Sequence, residues 1–181
     1  MSTIRFEAKL FKIGSWTILR LPKGASVKLP SRGMAMVEGT INGFQFQAAL
    51  EPDGKGSHWF RYNKTMCEAG GTVTLAIEPT KEWQEPKAPA DLKKALAAAP
   101  QAHTIWMSIT PIARWDWIRW IRTKQSETRR RRIEKACAML KVGKRRPCCF
   151  NRALCSEPYV SNNGVLKRTQ TTAAKAKRAM K

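Results

Sequence analysis

The first 80 positions carry apolar and polar side chains in short, partly alternating runs, the period of half-buried strands. Phe6 to Phe11 and Thr17 to Leu21 are the first two, punctuated by Pro22-Lys23-Gly24 and Pro30-Ser31-Arg32-Gly33. Met34 to Glu38 is a third, and Asn42-Gly43 is the pair that a type I′ hairpin turn favours. Phe44 to Leu50 reads as the return strand, with Phe44, Phe46, Ala48 and Leu50 on one face. Asp53-Gly54-Lys55-Gly56 turns the chain into His58 to Tyr62. Gly70-Gly71 then leads into Thr72 to Ile77, where Val73, Leu75 and Ile77 share a face. Short strands between glycine turns predict a small β-barrel over residues 1–80.

The period changes after a proline-rich linker, residues 81–90, which contains Pro86 and Pro89. Asp91 is placed to cap a helix from Leu92 to Ala99, which Pro100 ends. Thr110-Pro111 sets a cap oxygen just ahead of a proline at the first helical position, predicting a helix to about Lys124. Ser126 is placed to cap another from Glu127 to Val142, stopped by Gly143. Ile133, Cys137 and Leu140 form its apolar stripe, and Glu127 with Arg131 and Arg130 with Glu134 are spaced for i,i+4 ion pairs. Trp117, Trp120 and Ile121 share a broad helical face that reads as core, while Trp115 falls off it and is expected to be exposed. The class is therefore α+β: a barrel, a helical module over 91–143, an extension rich in cysteine and arginine over 144–168, and a basic tail over 169–181 expected to be disordered.

Charge sharpens this picture. Lysine and arginine number 34 against 13 acidic residues, a formal net charge of +21. Residues 1–87 carry net +4, residues 88–142 net +8 and residues 143–181 net +9, so the excess grows toward the C-terminus. That gradient points to an anionic partner: nucleic acid, an acidic protein or an anionic membrane surface. The residues expected to contact it are Arg119, Arg129, Arg132, Lys144, Arg145, Arg146 and Arg152, with Phe150 placed to stack a base. No apolar stretch approaches the roughly 20 residues of a membrane-spanning helix, and the N-terminus lacks the apolar core of a secretory signal. The expected location is the cytoplasm, where five cysteines are expected as free thiols.

Lys144-Arg145-Arg146-Pro147-Cys148-Cys149-Phe150-Asn151-Arg152-Ala153-Leu154-Cys155 invites a chemical reading. Structural zinc wants four ligands, usually in CxxC-type pairs. Here Cys148 and Cys149 are adjacent, so they point in different directions and chelate one small ion poorly, and neither His58 nor His103 is near in sequence. The plain reading is of small apolar thiols packing a loop against helices. The neighbouring arginines, which can lower a thiol pKa, keep a thiol-reactive or redox-sensing role for Cys148, Cys149 or Cys155 as the alternative. No phosphate loop, nucleophile elbow or HExxH motif occurs, so neither catalysis nor a cofactor is expected. Asp53 near His58 is explained by turn chemistry.

Two resemblances follow from particular residues. Gly39-Thr40-Ile41-Asn42-Gly43-Phe44, the Pro52-Asp53-Gly54 turn and Lys64 resemble the bacterial domain-of-unknown-function family numbered 1905, over roughly residues 4–78. That resemblance implies a double-split β-barrel similar in outline to AbrB-like barrels, with a DNA-binding analogy that fold alone does not establish. Trp106, Thr110-Pro111, Arg114, Arg119-Trp120-Ile121, Lys124, Glu127-Thr128-Arg129 and Arg132-Ile133 resemble the YdeI/OmpD-associated, or bacteriocin-protection, family over roughly 89–142. It implies a non-catalytic role in envelope stress and tolerance of cationic antimicrobial peptides. The extension from Pro147 lies beyond both.

Overall fold

The computed structural model describes residues 2–13, 16–62, 71–158 and 160. Six antiparallel strands close into a barrel in the order β1-β2-β5-β4-β3-β6. They are β1 (Ile4–Ile13), β2 (Trp16–Arg20), β3 (Ala35–Ile41), β4 (Phe44–Pro52), β5 (His58–Tyr62) and β6 (Thr72–Pro79). Closure leaves no strand edge open to a neighbour. Alternation sends Ile4, Leu10, Leu19, Val37, Leu50, Phe60, Leu75 and Ile77 inward, where all are buried in one cluster.

The β3–β4 hairpin turns at Asn42 (φ 48°) and Gly43 (φ 84°), the two positive values of a type I′ turn. Phe44 shares parity with the core but is 55% exposed, because it sits at the hairpin tip beyond the packed layer. The loop after β2 forms a short helix, α1 (Lys23–Ser26), which the sequence pattern did not suggest.

Among the described residues the C-terminal half holds four helices: α2 (Ala90–Ala97), α3 (Pro100–Ser108), α4 (Pro111–Ile121) and α5 (Ser126–Lys141). Leu92, Leu96, Trp106, Trp117, Ile121, Ile133 and Leu140 build a second core, separate from the barrel's. Pro100 ends α2 as expected, yet it also opens α3, since a proline at the first helical position lacks only an N–H that would be unbonded anyway. The α4 helix stops at Ile121, short of Lys124. Arg122 turns extended (ψ 124°), and its side chain reaches the barrel. Trp115 is partly buried against the barrel rather than exposed. The tail over 169–181 and the whole of 161–168 lie outside the described residues.

Gly39 lies in mid-strand opposite Ile77, at φ 154°, and a Cβ there would stand 2.0 Å from the Ala76 carbonyl oxygen. Gly39→Ala is expected to destabilise the barrel by about 3 kcal/mol, the upper range for overpacking a tight interior. A lowered urea midpoint with unchanged m-value measures it, and an unchanged midpoint would show that the strands can shift apart.

Candidate functional site

Thr110 accepts from the Ala113 amide (3.4 Å) and Pro111 occupies the first turn, so α4 starts where the sequence places it. Asp116 and Arg119 on this helix and Arg122 at its C-cap recur every three residues. Asp116 and Arg119 are each 1% exposed. Burying unpaired charge is costly, so each must be matched. Arg119 donates to the Arg152 carbonyl (3.1 Å), the Leu154 carbonyl (2.7 Å) and Ser156 Oγ (3.2 Å), and its guanidinium lies 5.2 Å from the Phe150 ring centroid. Asp116 Oδ2 pairs with Arg146 and with Arg152 Nε (3.2 Å). One helix face thus pins the segment from Arg146 to Ser156.

Arg122 extends the contact to the barrel. Its Nη1 is 2.6 Å from Glu51 Oε2 on β4 and 3.8 Å from Glu157 Oε2, while Arg61 on β5 reaches Glu157 at 3.0 Å and covers the Trp16 ring at 3.2 Å. Burial alone would push the Glu51 carboxyl up, but the Arg122 charge and hydrogen bond outweigh it and hold the carboxyl below its ordinary range. Beside this junction lies a cleft of about 500 Å³ between the outer face of β4–β5, the 84–89 strap and α4. Ala49, Trp59, Trp115 and Ile118 give it apolar wall, and its guanidinia, Arg61 and Arg122, are already paired with carboxylates.

The residues expected at an anion site divide sharply. Arg129 binds Asp91 (2.6 Å) and the Ile121 carbonyl (3.4 Å), and Arg132 donates to the carbonyls of Trp120 (3.1 Å) and Arg122 (2.9 Å). Both therefore cap the C-terminal end of α4, where orphan carbonyls and the helix dipole favour cations. Arg119, Arg146, Arg152 and Phe150 belong to the α4–extension contact. Lys144 and Arg145 remain exposed; Arg145 donates to the Ser108 carbonyl (2.8 Å) and meets no carboxylate among the described residues. Cys148 and Cys149 are exposed, whereas Cys155 packs with Ile18, Trp59 and Val160 on the outside of the barrel, and burial pushes its thiol up. The three thiols are not one cluster: no group of three metal-ligating side chains occurs among the described residues.

Sequence reading missed a serine–histidine pair. Ser26 Oγ lies 2.7 Å from His58 Nδ1, and His58 Nε2 lies 2.7 Å from the Gly33 carbonyl. The carbonyl accepts only, so Nε2 carries the proton and Nδ1 accepts from the hydroxyl. This resembles a nucleophile–base arrangement, but Ser26 and His58 are buried at 3% and 1% exposure. The pair instead ties α1, the Gly33 loop and β5 together. Burial keeps the imidazole below its ordinary pKa. Residues 26 and 58 lie 32 apart, with no local motif to announce them.

A closed antiparallel barrel followed by a four-helix module defines the class of the chain. Residues 6–74 match the family model described as domain of unknown function (DUF1905), and residues 85–143 match OmdA, described as bacteriocin-protection, YdeI or OmpD-associated. The two matches fall in the order that the resemblances anticipated. No curated protein matches it.

Arg119→Ala removes a forked donor from three acceptors and is expected to cost about 3 kcal/mol. Residues 145–158 should become the first site of limited proteolysis, and Arg119→Lys should not restore protection, because an ammonium lacks the planar fork. Wild-type resistance in the Ala variant would refute this role. A pH effect follows from His58. Its folded pKa is depressed, so stability is complete above the ordinary imidazole value near 6.5 and is lost as pH falls below it toward the folded value. Denaturant midpoints should be flat from pH 7 to 8 and decline between about 6.5 and 5, and His58→Gln should flatten that limb.

Proposed function

We propose that the protein is a non-catalytic cytoplasmic binding protein contributing to envelope-stress tolerance or protection against bacteriocins and cationic peptides, and that it acts through an anionic partner. The OmdA match supports the stress role. A chain of net charge +21 repels polycations, which argues against direct capture of a cationic peptide. The observation that carries the reading is where unneutralised charge stands. Lys93, Lys94, Lys135, Lys141, Lys144 and Arg145 are exposed on the helical module and the start of the extension, with no carboxylate partner among the described residues. The arginines nearer the junction are already spent on internal acceptors. The sealed Ser26–His58 pair supports a binding role over a hydrolytic one. No helix among the described residues is long and apolar enough to cross a membrane.

Nucleic acid is the second reading, favoured by the same surface, since phosphate backbones bind lysine without demanding a forked geometry. Binding of the full chain to duplex DNA, structured RNA and anionic vesicles should be measured between 50 and 200 mM salt. Log affinity is expected to fall linearly with log salt, and exchanging Lys135, Lys141, Lys144 and Arg145 for Glu should reduce the slope by about 3. Cells producing that variant should survive cationic peptide no better than a deletion strain. Salt-independent binding, an unchanged slope or direct binding of the peptide would each overturn the proposal.

A further inference from the structure

The adjacent thiols of the extension play no part in the anionic-partner reading, and their setting is unusual. Pro147 leads into a turn in which Cys149 takes φ 54°, a left-handed conformation that a cysteine adopts at a penalty of about 1–2 kcal/mol. Extended chain would send successive side chains to opposite faces. A turn removes that alternation, which was the sequence argument against chelation by neighbours. Both thiols are exposed and free. The turn is also anchored at each end. Upstream, Arg145 holds the Ser108 carbonyl and Arg146 holds Asp116; downstream, Arg119 grips the carbonyls of Arg152 and Leu154. A dithiol held between two such anchors gives up little freedom on binding.

The remaining described thiols stand apart from this turn. Cys137 packs beside the helical core and Cys155 packs on the barrel. A tetrahedral ion needing four ligands finds no third local donor. A ligand completed by two sulfurs does not need one.

We propose that Cys148 and Cys149 form a dithiol site for trivalent arsenic, as arsenous acid or a monosubstituted arsenical. Each thiol displaces one hydroxyl from arsenic. Two As–O bonds break, two As–S bonds form, the thiol protons leave with the hydroxyls as two waters, and arsenic stays trivalent. The third position on arsenic keeps its carbon or hydroxyl and faces solvent.

The test is titration of the reduced full chain with phenylarsine oxide, with arsenic counted by intact mass and residual thiols counted by a chromogenic disulfide. One arsenic per chain with two thiols lost is expected, reversed by a small dithiol and not by a monothiol. Cys148→Ser and Cys149→Ser should each weaken binding about 100-fold, since the second bond is no longer intramolecular. A variant with Cys67, Cys137 and Cys155 all changed to Ser should bind as the wild type does. Tight binding that survives Cys148→Ser, loss of binding in the triple variant, or one thiol lost per arsenic would overturn the site.

Discussion

The buried charge on α4 sets the terms for everything around it. A guanidinium at 1% exposure has surrendered its hydration, and only well-aimed acceptors make that tolerable. Arg119 finds three of them on the extension, Asp116 finds two guanidinia there, and Arg122 finds Glu51 on the barrel. None of these partners lies within the helical module. The helix can keep its polar face dry only while extension and barrel are both in place, so three stretches of chain are coupled through polar groups on one helix. Such a junction is demanding in geometry and modest in net stability, because desolvation offsets much of the attraction.

Arginine and lysine have divided the work. The cations engaged at the junction and at the end of α4 are all arginine: 61, 119, 122, 129, 132, 146 and 152. The exposed cations without carboxylates are mostly lysine. This follows from the side chains. A planar fork of five donors satisfies several carbonyls at once and is weakly hydrated, whereas an ammonium is a strongly hydrated point best left in water. Net charge therefore overstates the surface available to a partner in the arginine-rich stretches and describes it fairly where lysine dominates.

Strands, the hairpin turn and the start of α4 were legible because each rests on local chemistry. Asn42-Gly43 takes the type I′ turn, and Thr110-Pro111 opens α4. Asp91 and Ser126, read as caps, instead lie inside the first turns of α2 and α5, whose N-caps Pro89 and Gln125 make no side-chain cap bond. What stayed hidden depended on distance. Pro100 reads as a stop, and only the packing of Ala102 and Trp106 into the helical core shows that it is also a start. Arg119, Arg129 and Arg132 carry the residue type of an anion site, and nothing in their spacing reveals that carbonyls 8 to 35 positions away will claim them. His58 reads only as the first residue of a strand, and it is α1 that brings Ser26 to its ring. Alternation placed Phe44 in the core correctly by parity and wrongly by depth, since periodicity reports a face and not where a layer ends.

The extension belongs to neither family match, which end at residues 74 and 143, yet both matched parts lean on it. Its arginines neutralise Asp116, its carbonyls occupy Arg119, and its Glu157 stands between Arg61 and Arg122. Cys155 and Val160 cover Ile18 and Trp59, which point out of the barrel and would otherwise leave an apolar patch in water. The contact even reaches the loop that holds the buried histidine: Gly33, whose carbonyl accepts from His58, lies beside Arg152. A barrel and a helical module joined by a proline strap could hinge freely. The segment after Gly143 joins the Arg122–Glu51 pair in tying them together, and so the dithiol turn it carries is anchored against both.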